Sequence, residues 1–133
     1  MLLNDWLCWI PWRRSKYDLG GRGEDLAARH LQKLGCRILE RQYRDPPGEI
    51  DLIAREGDTI VFVEVRSRSG SGAGSPEETI GAAKERTLIR TAEKYLHRRK
   101  LDDAPARFDV VSIVWGDGAP RLEHFRDAIR PEG

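Results

Sequence analysis

The sequence predicts an α/β domain, a mixed central sheet flanked by helices, and three observations carry that prediction. Residues 48–68 read GEIDLIAREGDTIVFVEVRSR, in which two β-rich runs, 49–55 and 59–66, enclose Glu56-Gly57-Asp58, a tight acidic turn whose glycine can adopt φ > 0. Those runs are apolar almost throughout (Ile50, Leu52, Ile53 and Ala54, then Ile60, Val61, Phe62, Val63 and Val65), which marks strands covered on both faces. Segments of helical spacing precede and follow the hairpin, and they supply the covers.

In chain order, residues 1–19 form a Trp-rich and basic extension. It lacks the basic start and small-residue cleavage pattern of a signal peptide, and its apolar run is short and broken by Asp5. Trp6, Trp9 and Trp12 ahead of Arg13, Arg14 and Lys16 have the make-up of an interfacial anchor. A variable extension is the simpler expectation, and membrane contact is not expected. Residues 15–23 read as a loop. Residues 24–34 form a helix: Ala27, Leu31 and Leu34 share a face, Gly23 serves as N-cap, Gly35 stops the last turn, and Glu24 lies in the first turn, where an acid suits the helix dipole. His30 on this helix is expected to face solvent.

Residues 36–43 make a first strand with Ile38 and Leu39 on opposite faces, and Pro46-Pro47 ends its pairing before the hairpin. After Arg66, residues 67–76 (SRSGSGAGSP) are flexible by composition. A helix over 82–98 sets Lys84, Leu88, Ala92 and Leu96 at four-residue steps on one face. Residues 107–115, RFDVVSIVW, follow as a strand parallel to its neighbour, because a helix intervenes. Residues 121–125 form a short edge strand, with His124 exposed. Residues 20–127 are thus one domain, and 128–133 a loose C-terminal tail.

With 133 residues, 39% hydrophobic and 34% charged, the chain is long enough for a real core and is not globally disordered. The formal net charge is only +1, so nucleic-acid affinity has to come from local patches. One such patch lies between Arg13 and Arg44, where nine basic residues face four acids. Cys8 and Cys36 are the only cysteines; they offer neither a disulfide framework nor a Cys/His metal spacing, and reduced thiols in the cytoplasm are expected.

The chemistry concentrates in the hairpin. With Gly57 at the tip, Asp51 lies six positions before it and Glu64 seven after. The two carboxylates fall on neighbouring strands, directly opposite or one step off register, and a direct pair has Cβ atoms roughly 5 Å apart. Close carboxylates in a covered sheet repel each other and lose hydration, a conflict that Mg²⁺ or Mn²⁺ with oxygen ligands resolves. Arg66 shares the face of Glu64 and adds a cation. An anti-aggregation charge or an ordinary Asp–Arg salt bridge is the plainer alternative. Glu49 shares the parity of Asp51. Lys84 opens the core-facing stripe of the second helix; it either reaches the acids or snorkels to water. Arg68 leaves the motif on a Ser/Gly-rich stretch able to close on a phosphate backbone.

GEIDLI followed by FVEVR, together with GRGEDLAARHL, LGCRILERQYR and RFDVV, resembles the bacterial YraN family from about residue 20 to 125. That family's core is similar to archaeal Holliday junction resolvases within the PD-(D/E)xK nuclease superfamily. The resemblance implies a restriction-endonuclease-like αβββαβ core. It implies Asp51 as the motif aspartate, Glu64 as the second acid, and Glu24 as the helix-borne acid that completes a Mg²⁺ or Mn²⁺ site. Arg66 stands where the superfamily usually has lysine. Arginine supplies charge and a bidentate phosphate contact but accepts no proton, so Lys84 is the candidate amine. The implied partner is DNA, branched or junction DNA included, contacted by Arg66, Ser67 and Arg68, and a homodimer follows by analogy. The expected activity is metal-dependent phosphodiester hydrolysis. A non-catalytic nucleic-acid-binding module on the same fold is the alternative, and an interaction scaffold built on the Trp-rich start is a third.

Overall fold

Two helices, α1 (Leu19–Lys33) and α2 (Ala82–Arg98), cover opposite faces of a five-stranded sheet: β1 (Arg37–Asp45), β2 (Gly48–Glu56), β3 (Thr59–Ser69), β4 (Ala106–Trp115) and β5 (Arg121–Ile129). This computed structural model describes residues 19–69 and 81–131. The strands lie in chain order across the sheet, antiparallel except for the β3–β4 pair. The α2 crossover is what permits that parallel pair, because a helix returns the chain to the same end of the sheet. The element order is therefore the expected αβββαβ core with β5 added at the edge.

Alternation along β3 builds both core layers. Val61 and Val63 point to α1 and meet Ala27, Ala28, Leu31, Ile38, Leu52 and Ile113, whereas Ile60 and Phe62 point to α2 and meet Leu88, Ala92, Tyr95 and Phe108. An aromatic cluster lies under α2, where Tyr95 sits edge-on to both Tyr43 and Phe62. On β2 the alternation breaks at one place. Ile50 belongs to the α2 layer while Leu52 and Ala54 belong to the α1 layer, so the strand turns about Asp51.

Several boundaries differ from expectation. Helix α1 begins at Leu19, so Gly23 lies inside it and is not its N-cap, and Glu24 is not in its first turn, which carries no acid. The dipole therefore does not account for Glu24. The glycine-rich start reads as loop, yet Gly23 is buried because α1 presses there on Ser67 of β3; an added Cβ would collide with the Ser67 hydroxyl. Leu34 is exposed just beyond the helix. Strand β3 runs on to Ser69, since β4 pairs with it through Ser69↔Trp115. Strand β5 reaches Ile129, which is buried against β4 opposite Phe108, so residues 128 and 129 are part of the sheet rather than a tail. Neither His124 nor His30 faces solvent freely: the two rings meet at 3.1 Å between nitrogens. The Trp-rich segment up to residue 18 and the Ser/Gly stretch from residue 70 to 76 lie outside the described residues.

Where β2 starts, Gly48 lies under α2 so closely that a Cβ there would fall inside the van der Waals shell of Thr91 Oγ1, with Thr91 Cβ at 3.0 Å. Thr91 is buried and its hydroxyl donates to Thr87 O at 2.7 Å, which leaves it little room to yield. Gly48→Ala is expected to destabilise the fold by about 1–3 kcal/mol, read by urea denaturation. Combining it with Thr91→Gly should return part of that loss relative to Thr91→Gly alone; additive losses would refute the clash.

Candidate metal and nucleic-acid site

The hairpin register decides the site. Pairing between β2 and β3 runs from Glu56↔Thr59 to Leu52↔Val63, around a turn in which Gly57 has φ 59°. One further step sets Asp51 opposite Glu64. Ladder bonding stops there: the Asp51 carboxylate takes the place of a main-chain acceptor, and its Oδ2 accepts the Val65 N–H at 2.8 Å. Asp51 is thereby fixed at the mouth of the hairpin.

Burial raises the Asp51 carboxyl to about 7, and the neighbouring charge of Glu64 adds to the effect. The Val65 N–H opposes that rise, while Glu24 contributes further to it. Glu64 is itself buried, and its Oε2 receives the Lys84 Nζ at 2.6 Å. Lys84 projects from the first turn of α2 with its side chain half exposed, so it reaches the acid from the solvent side. Asp51, Glu64, Glu49 and Lys84 line one open cleft of about 410 Å³ with Pro47 and Leu88 in its walls. Glu49 stands at its rim, exposed and paired with Arg44 at 3.4 Å.

Glu24 is buried on α1, and its Oε2 accepts a hydrogen bond from Gln42 Nε2 at 3.2 Å. Gln42 has φ 49°, an uncommon left-handed conformation for a residue with a side chain, and its neighbour Arg41 pairs with Asp25 on α1. Two successive β1 residues thus hold the helix segment that carries Glu24. Its charge reaches Asp51, but among the described residues no three Asp, Glu, His or Cys side chains converge closely enough to hold a metal ion.

The donor set fits a hard divalent cation in its chemistry: carboxylate oxygens of Asp51 and Glu64 on adjacent strands, with burial and the neighbouring acids opposing the charged form of Asp51. Arg66 and Arg68 follow Glu64 on β3, and together with Ser67, Lys84 and Ser112 they border a second cavity of about 270 Å³. Ser67 is also packed against Gly23 of α1 through its hydroxyl.

A second polar cluster escapes a motif-based reading. Asp109 on β4 is fully buried, yet it accepts from Arg107 Nε at 3.0 Å, from His124 Nε2 at 2.8 Å and from the Asp127 N–H at 2.9 Å. Burial alone would raise its carboxyl; these donors outweigh burial and hold it below its ordinary value. Arg107 continues to Glu56 at 2.7 Å, and Arg126 meets the same Glu56 oxygen at 3.0 Å. The sequence signal was Arg107 and Asp109 at i, i+2 within RFDVV, on one face of a strand. Ser112 and Gln42 carried no signal of their own.

A mixed α/β domain with a close carboxylate pair, half-buried Asp51 and buried Glu64, at the mouth of its central hairpin and flanked by lysine and arginine is the class of protein that fold and site define. The chain belongs to the family described as "Uncharacterised protein family UPF0102", whose profile matches residues 23–113. It is 47% identical over 116 residues to the UPF0102 protein of Anaeromyxobacter dehalogenans, covering 86% of each chain. To that of Syntrophotalea carbinolica it is 42% identical over 118 residues, covering 89% of this chain and 96% of the relative. A Rhodococcus opacus relative is 47% identical over 112 residues, 84% of this chain and 95% of its own. Among the described residues no helix is long and apolar enough to cross a membrane.

Proposed function

We propose that the protein is a metal-dependent endonuclease that hydrolyses phosphodiester bonds in DNA, branched or junction DNA among its substrates. The observation that carries this reading is the pair of half-buried Asp51 and buried Glu64 on adjacent strands, with Asp51 raised to about 7 and Lys84 on Glu64. Phosphate binding by itself gains nothing from two neighbouring carboxylates, because they repel the ligand; a cation-dependent reaction needs them. The resemblance to PD-(D/E)xK nucleases supports the same assignment.

Asp51 and Glu64 would hold the Mg²⁺ or Mn²⁺, with Glu24 adding negative charge from α1. When bound, the cation supplies Lewis-acid stabilisation of phosphoryl charge and a water of lowered pKa. The chain's own groups do the rest. The Val65 N–H keeps the Asp51 carboxylate aimed into the cleft, and Gln42 holds Glu24 on its side. Lys84 Nζ carries protons that it can donate toward the leaving oxygen, while Arg66 offers a permanent cation to the nucleic-acid backbone beside the cleft. A non-catalytic nucleic-acid-binding role has one observation in its favour: the usual lysine position is Arg66, and Lys84 already engages Glu64.

The test is cleavage of labelled single-stranded, duplex, flap and four-way-junction DNA with Mg²⁺ or Mn²⁺. Asp51→Asn and Glu64→Gln are each expected to lose roughly 10²-fold or more in rate. Lys84→Ala should lose rate with DNA binding largely kept. Binding to every DNA with no cleavage under either cation would select the non-catalytic reading.

A further inference from the structure

The second cavity, on the far side of Glu64 and Lys84 from Asp51, has a composition that the carboxylate chemistry leaves unexplained. Ser112 is 1% exposed, and its hydroxyl has no hydrogen-bond partner among the described residues. Arg66 is its register neighbour on the parallel strand β3, and the Nη1 of that guanidinium is likewise buried with no partner. Buried donors of this kind are a standing cost to a fold unless something arrives to satisfy them. Both line one cavity of about 270 Å³, and Arg68 and Lys84 line it too.

We infer that this cavity is an oxyanion site that takes a phosphate group of the bound nucleic acid, distinct from the phosphate at the carboxylate pair; its occupant's source rests on the nucleic-acid reading above. Arginine and lysine only donate, and a serine hydroxyl can donate, so the lining calls for an acceptor rich in oxygen. A guanidinium fork matches two phosphate oxygens, and Ser112 beside it supplies a third contact on the same face. Three cations border the space against a single carboxylate, Glu64, whose Oε2 is already engaged by Lys84. That balance disfavours a cation here and separates this cavity from the acidic cleft next to it. The two sites together would grip a strand at two phosphates, which aligns it across the hairpin mouth before any bond is broken.

Inorganic phosphate is the direct probe, titrated without divalent cation and followed by calorimetry and thermal melting. Wild type should bind it saturably and melt at higher temperature with it. Ser112→Ala should weaken phosphate binding about tenfold. Its ligand-free melting temperature should be unchanged or higher, because an unsatisfied buried hydroxyl has been removed. Arg66→Met should abolish the effect. A DNA oligonucleotide without terminal phosphates should compete with inorganic phosphate in the wild type. Absence of saturable phosphate binding, or equal binding by Ser112→Ala and wild type, would overturn the site. Phosphate binding that DNA does not displace would overturn its assignment to nucleic acid. Failure of cleavage is a different result, since binding of phosphate requires none.

Discussion

Asp109→Ala is expected to lower the stability of the domain by about 3–5 kcal/mol, the scale of breaking a buried charge pair from one side. The carboxylate is fully buried and serves Arg107, His124 and the Asp127 N–H together. Removing it leaves His124, whose side chain is 8% exposed, without its acceptor and Arg107 with only Glu56. It also frees the bulge in β5, where Asp127 has φ 53° and where the register against β4 shifts. His30 is drawn in as well, because burial and the neighbouring His124 lower its pKa and its Nε2 lies 3.1 Å from His124 Nδ1.

The pH dependence has a definite sign. Asp109 titrates below its ordinary 3.8 in the folded state, so its contribution is full above that value and is lost as the pH falls through the folded pKa. The gap between wild type and Asp109→Ala, measured by urea denaturation, should be open at neutral pH and close in strong acid, as the pH falls through the lowered Asp109 value. Asp109→Asn should lose less, since an amide oxygen still accepts. Arg107→Met combined with Asp109→Leu should recover a substantial part, because an apolar pair replaces a broken ionic one. A loss below about 1 kcal/mol in Asp109→Ala would show that the cluster does not hold β5 to the sheet.

Sequence pattern carries information where the contacts it encodes are close along the chain. Alternation is local, so residues 50–65 announced their strands, and counting outward from Gly57 put Asp51 and Glu64 on neighbouring strands, directly opposite or one step off register. What failed was set by partners distant in sequence. Ser67, Arg68 and Ser69 have the composition of a linker, and they are strand only because β4 offers a parallel edge up to Trp115. The glycines at the start of α1 argue against a helix, yet the close approach to Ser67 needs one of them. Residues 126–129 look polar and terminal, but Asp109 catches the Asp127 N–H and Ile129 closes the α2 layer. Lys84 was legible as a stripe residue, while its contact with Glu64 depends on how far α2 lies over the hairpin, which no spacing within the helix encodes.

Asp51→Asn should stabilise the protein at high pH while removing the proposed cation site, and the pairing of these two effects is the sharpest test of the carboxylate pair. Asp51 releases its proton near 7 when folded and near its ordinary 3.8 when unfolded. Between those values the folded state keeps a proton that the unfolded state has lost. Stability credited to that proton is therefore complete below about pH 4 and gone as the pH rises through about 7. Asparagine keeps an oxygen for the Val65 N–H but never acquires the charge that Glu64 and Glu24 oppose. Its advantage over the wild type should be near zero at pH 4, grow through pH 5 to 7, and level off above pH 7. At about 1.4 kcal/mol per pH unit the ceiling on the plateau is about 4 kcal/mol. Mg²⁺ or Mn²⁺ opposes that order, because it acts on the wild type alone. At pH 8 it should raise the melting temperature of the wild type, by about 2.7 kcal/mol of stability at a hundredfold excess over Kd, and leave Asp51→Asn nearly unmoved. Thermal melting across pH, with and without the cation, reads both. A difference between the two proteins that is flat from pH 4 to 8 would mean that Asp51 is not under strain from its neighbours. A cation effect of equal size in both would place the metal elsewhere, and the hairpin mouth would then be a structural feature of the sheet rather than its reactive centre.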